Sequence, residues 1–60
     1  MKQWTENYLK SISEIEAHPE KLSGYERGYI DSLRRQIARE IAVSSYQSRL
    51  LEKIWQRVVA

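Results

Sequence analysis

The residues able to do chemistry are few, and their spacing favours binding over catalysis. A single histidine, His18, precedes the single proline, Pro19, and cysteine is absent. His18 has Glu14 one turn upstream, yet no nucleophile stands in the pattern for it to activate. Its place at a helix end suits a cation that complements the negative end of the helix dipole. Glu14 and Glu16 are two apart, so on a helix they do not face each other and form no acid/base pair. One histidine and scattered carboxylates fall short of a metal-ligand set, and there is no glycine-rich phosphate loop. The expectation is no enzyme activity, no metal, no cofactor and no small-molecule substrate.

Charge is more informative. Residues 1–22 hold three lysines against four glutamates, net −1, whereas residues 23–60 hold seven cations against four acids, net +3. Every arginine lies in the second stretch, and arginine suits forked contacts with phosphate or carboxylate. Ser45, Arg49, Lys53 and Arg57 form a row at spacing four, on the side of a helix away from Leu51, Ile54 and Val58. Like charges so placed repel by about 0.2–0.5 kcal/mol per pair. The row reads either as a ridge for nucleic-acid phosphates or an acidic protein surface, or as a solvated face at a helix C-terminus. Arg34, Arg35 and Arg39 would widen the ridge if two helices lie alongside. Tyr25 and Tyr46, at the edges of apolar stripes, are candidate exposed contacts. Glu40 falls on an apolar arc between Ile37 and Ile41, so it must lie past the packed region or meet a cation.

The elements that position these residues are helical. Trp4, Tyr8, Ile12 and Ile15, with Leu9 beside them, make one face of a helix over 3–17. Lys2, Glu6, Lys10, Glu14 and His18 alternate in sign on the opposite face, as a solvated face does. Pro19 ends that helix, because the residue before a proline avoids the α conformation. Ser23-Gly24-Tyr25-Glu26 fits a capping box opening a second helix over 24–40. Its stripe is Tyr25, Tyr29, Ile30, Leu33, Ile37 and Ile41, with Arg27, Asp31, Arg35 and Arg39 opposite. Gly28 lies on the polar side, so close packing does not account for its cost of about 1 kcal/mol. Ser44-x-x-Gln47 is a second capping box for a helix over 44–59, whose stripe is Leu50, Leu51, Ile54, Trp55, Val58 and Val59. Residues 39–47 contain no glycine or proline, so one unbroken helix over 24–59 is the alternative; it would need a partner chain to cover its stripe.

The expected architecture is thus all-α: one domain, 1–60, of three short helices forming a helical hairpin with a packed N-terminal helix. Charged residues at 30% and hydrophobic ones at 42% fit a globular chain rather than a disordered one. No apolar run reaches the length of a membrane span, and Met1-Lys2-Gln3-Trp4 does not open a signal peptide, so the expected setting is the cytoplasm. In a chain this short, burial and ordering nearly cancel, which favours self-association or a bound partner.

Leu22-Ser23-x-x-Glu26-x-x-Tyr29-Ile30-x-Ser32-Leu33, followed by Gln47-x-x-Leu50-Leu51-x-Lys53-Ile54-Trp55-x-Arg57, resembles a helical-hairpin pattern. That pattern belongs to small proteins and accessory segments of bacteriophages and mobile elements, some linked to replication or helicase proteins. The pattern usually has a glycine before the second cap, where this chain has Glu40-Ile41-Ala42-Val43. The resemblance spans residues 22–57, brings no catalytic residues, and implies an accessory role in the host-cell cytoplasm. The expected function is a small non-enzymatic, phage-type interaction protein that assists or inhibits a nucleic-acid-processing complex. Direct DNA or RNA binding and a homo-oligomeric helical module are the alternatives. A membrane surface is disfavoured, because the apolar stripe is needed for folding.

Overall fold

The fold is that of a computed structural model, which describes residues 2–60. Three α-helices follow in order: α1 (Gln3–Glu16), α2 (Gly24–Ala38) and α3 (Ser45–Val58). A single 3-10 turn, Pro19–Lys21, joins α1 to α2. The all-α, three-helix architecture agrees with the sequence pattern, and the helix limits fall within two residues of those expected.

Local signals set the boundaries. α1 stops where Ala17 N–H donates to the Ser13 carbonyl at 3.1 Å and His18 N–H to the Ile15 carbonyl at 3.0 Å, just before Pro19. α2 opens on a complete capping box. Ser23 Oγ accepts from Glu26 N–H at 3.1 Å, and Glu26 Oε1 accepts from Ser23 N–H at 3.0 Å. α3 repeats the device with Ser44 and Gln47, at 3.1 and 3.0 Å. The single chain therefore breaks between α2 and α3.

The break itself is unusual. α2 ends at Ala38, and Glu40 adopts φ 58°, the left-handed region, as the one such non-glycine among the described residues. Glu40 N–H donates to the Ile37 carbonyl at 2.8 Å and Ile41 N–H to the Gln36 carbonyl at 3.1 Å. This is the Schellman pair that closes a helix C-terminus, normally around a glycine. A side chain with a Cβ pays about 1–2 kcal/mol for that conformation. Glu40 thus lies past the packed region, and it also meets a cation: Lys2 Nζ stands 3.8 Å from its carboxylate. Ile41, expected on the buried stripe of α2, instead lies outside the helix and is 51% exposed.

Each helix contributes to one core: Ile12 and Ile15 from α1, Ile30, Leu33 and Ile37 from α2, and Leu51, Ile54 and Val58 from α3. Trp4, Tyr8, Leu9, Leu22, Tyr29, Val43, Leu50, Trp55 and Val59 pack around it. Thr5 is fully buried as well, its hydroxyl donating to the Lys2 carbonyl at 2.6 Å. Thr5 is polar and stands outside the apolar stripe expected for α1. Yet it stands seven residues before Ile12, on the same face, and its hydroxyl finds its partner one turn back. α1 lies close against both α2 and α3, whereas the backbones of α2 and α3 keep further apart. α1 is thus the central helix, and the outer side of the α2–α3 seam is a shallow groove.

Candidate partner-binding face

The fate of each cation follows from the acids within its reach. Arg34 sits on the α1 side of α2. Its Nη2 donates to Asp31 Oδ1 at 2.7 Å, and its Nη1 stands 3.6 Å from Glu16 Oε1 on α1. Arg35 Nη2 reaches the other oxygen of Asp31 at 2.6 Å. The hydrogen bond from Arg34, with the charge of Arg35 added, holds the Asp31 carboxyl below its ordinary range. The same bond, and then Glu16, raise the Arg34 guanidinium. Arg27 donates to the Pro19 carbonyl at 3.0 Å, and it lines a depression with Glu16, Leu22, Ile30 and Arg34. Arg34 and Arg35 therefore do not widen the α3 ridge: they belong to other sides of α2 and are matched by the chain's own acids.

The α3 row divides in two. Arg57 Nη2 lies 2.7 Å from Glu26 Oε1, tying the end of α3 to the start of α2. That bond, followed by the one from Ser23 N–H, holds the Glu26 carboxyl below its ordinary range. Arg49 and Lys53, in contrast, have no ion-pair partner among the described residues, and neither has Arg39, just past the end of α2. The row of three thus leaves two adjacent cations open to solvent.

The tyrosines complete this face. Tyr25 and Tyr46 are 75% and 72% exposed, more than any other large apolar side chain described. Between them sits half-buried Tyr29, whose hydroxyl donates to the Gln47 carbonyl at 3.2 Å. Burial first, then the nearness of Tyr46 and of Tyr25, push the Tyr29 phenol above its ordinary value. Tyr29 stands one turn after Tyr25 on α2 and its hydroxyl reaches the residue next to Tyr46, so the three tyrosines mark the α2–α3 seam. Tyr46, Arg49, Leu50 and Lys53 line one shallow depression, and Leu50 and Lys53 carry it on into a groove with Glu26, Ile54 and Arg57.

On the opposite side of α3 the polar groups are matched internally. Trp55 Nε1 donates to Glu14 Oε1 at 2.9 Å, and Tyr8 O–H donates to Ser48 Oγ at 3.2 Å. Glu14, expected only on a solvated face, is thus a partner of a half-buried indole. The sequence held no signal for that contact, which depends on how α1 and α3 dock. His18 Nδ1 lies 3.8 Å from Glu20 Oε2. Among the described residues no three His, Asp or Glu side chains are grouped to hold a metal, and no helix is long and apolar enough to cross a membrane.

Compared with known families, curated proteins and solved structures, the chain matches none at a significant level. The geometry of the α2–α3 face therefore carries the functional argument.

Proposed function

We propose that this chain is a small non-enzymatic interaction protein that docks on an acidic surface of a partner protein. The docking face is Tyr25, Tyr46, Leu50, Arg49 and Lys53. One observation carries the reading: exposed Tyr46 lines a depression with Arg49 and Lys53, the only α3 cations that the described residues leave unpaired, and exposed Tyr25 stands beside Glu26 at the same seam. Tyrosine and arginine around a desolvated apolar centre make up the hot spots of protein interfaces. A surface that tracks nucleic-acid phosphates needs many free cations, since affinity grows with each phosphate neutralised. Here Arg34, Arg35 and Arg57 are already matched by Asp31, Glu16 and Glu26, which disfavours that alternative. The resemblance of residues 22–57 to phage and mobile-element hairpins supplies the setting, an accessory factor or inhibitor of a nucleic-acid-processing complex.

The test is capture of a partner from the native host with nuclease present throughout. A protein partner should remain bound. The double variant Tyr25→Ala, Tyr46→Ala should weaken binding by about 2 kcal/mol, roughly thirtyfold. Arg49→Gln with Lys53→Gln should slow association and flatten its salt dependence. Capture that vanishes with nuclease, together with binding of single-stranded DNA or RNA that falls steeply with salt, would replace this reading by the nucleic-acid one.

A further inference from the structure

We infer that the 39–44 turn is a strained hinge through which α3 exchanges between two copies of this chain. In the resulting dimer, α2, the turn and α3 run on as one helix. The first support is Glu40, which holds φ 58° where a glycine would be free of strain. The second is composition. Arg39, Glu40, Ile41, Ala42, Val43 and Ser44 include no glycine or proline, and Arg, Glu and Ala are strong helix formers. The third is Ile41, half exposed in the single chain. Once helical, it follows Ile37 by one turn and prolongs the buried stripe of Ile30, Leu33 and Ile37. In a symmetric exchange the hinges lie near the two-fold axis, where the two Ile41 side chains cover each other.

The contacts that hold α3 come from α1, from α2 and from the 3-10 turn, where Lys21 Nζ donates to the Val58 carbonyl at 3.3 Å; all lie before the hinge, so exchange rebuilds them between chains. Trp55–Glu14, Tyr8–Ser48, Tyr29–Gln47 and Arg57–Glu26 would all recur. What exchange gives up is the Schellman pair, the Ser44 cap, the packing of Val43 on the core, the bond from Gln36 Nε2 to the Ala42 carbonyl at 2.9 Å, and the long Lys2–Glu40 pair. Against these stand release of the left-handed residue at two hinges and burial of Ile41. A turn under strain with a helix-forming sequence invites such exchange. Each rebuilt unit would carry Tyr25 from one copy and Tyr46, Arg49 and Lys53 from the other, so the dimer presents two docking faces.

The test is to refold the chain at high and at low concentration, then measure mass by light scattering after chromatography. High concentration should give a dimer that outlasts dilution, because return to monomer requires α3 to unfold. Glu40→Gly should lower the dimer fraction at least about tenfold, since glycine relieves the turn and weakens the hinge helix. Glu40→Ala, equally strained in the turn but a better helix former, should raise it. The double variant Tyr25→Ala, Tyr46→Ala should leave it unchanged, which separates exchange from association through the docking face. A chain that is monomeric after every refolding, or a dimer that re-equilibrates within seconds and ignores Glu40→Gly, overturns the inference.

Discussion

The two flanks of α3 use the same residue types and come to opposite ends. On the α1 flank, Trp55 and Tyr8 spend their polar atoms on Glu14 and Ser48, across helices that pack closely. On the outer α2 flank, Tyr25, Tyr46, Arg49 and Lys53 have comparable chemistry, but the acid lining the groove there, Glu26, is occupied by Arg57. The difference is one of partner supply rather than composition. An aromatic or basic residue becomes part of the fold when the packing brings it an acceptor, and stays available to another molecule when it does not.

The comparison can be broken most forcefully at the core. Ile12→Ala, on the fully buried face of α1, should cost about 2–5 kcal/mol. A domain of this size has only a few kcal/mol in total, so the variant should be largely unfolded by circular dichroism. Tyr46→Ala should change the urea midpoint by less than about 0.5 kcal/mol equivalent. Equal losses in the two variants would mean that the outer flank is structural after all.

A smaller effect sharpens the outer boundary of the face. A Cβ built at Gly28 meets nothing within 4 Å. Gly28→Ala should therefore stabilise α2 by about 1 kcal/mol and raise Tm by roughly 4–8 °C. Partner capture lost in this more stable protein would extend the docking face onto the middle of α2. Capture retained would confine it to the two tyrosines and α3.

The smallest change concerns the one ion pair among the described residues that bridges α2 and α3. Glu26→Gln keeps an acceptor for Ser23 N–H but removes the charge facing Arg57, at a cost of about 0.5 kcal/mol near neutral pH. Because the Glu26 carboxyl is held below its ordinary range, the folded chain binds fewer protons there than the unfolded one. Its contribution is complete above the ordinary glutamate range and disappears as pH falls through that range to the folded value. Urea midpoints taken across acidic pH should converge for parent and variant. Curves that stay parallel would deny the pair its role.

Much of the scaffold was readable because it rests on neighbours in sequence. Ser23 with Glu26 and Ser44 with Gln47 are local devices, and both capping boxes form where their spacing put them. The apolar stripes likewise announced Ile12, Ile15, Ile30, Leu33, Ile37, Leu51, Ile54 and Val58. The exposure of Tyr25 and Tyr46 followed from their places at the stripe edges. Glu40 was harder, since nothing in its side chain announces a left-handed backbone. What could not be read were contacts that join residues far apart in the chain. Arg57 meets Glu26 and Trp55 meets Glu14 only because three helices dock at particular angles. For that reason a row of three cations on a helical wheel became a pair.

One end of the α2–α3 seam is fastened by neutral amides: Gln36 and Gln47 exchange hydrogen bonds in both directions, at 3.1 and 2.9 Å. The other end is fastened by the charged Arg57–Glu26 contact. Added salt or acid weakens only the second clasp. The shared core of Ile30, Leu33, Ile54 and Val58 still holds the two helices together, so ionic conditions would loosen only the rim of the seam at its Glu26 end.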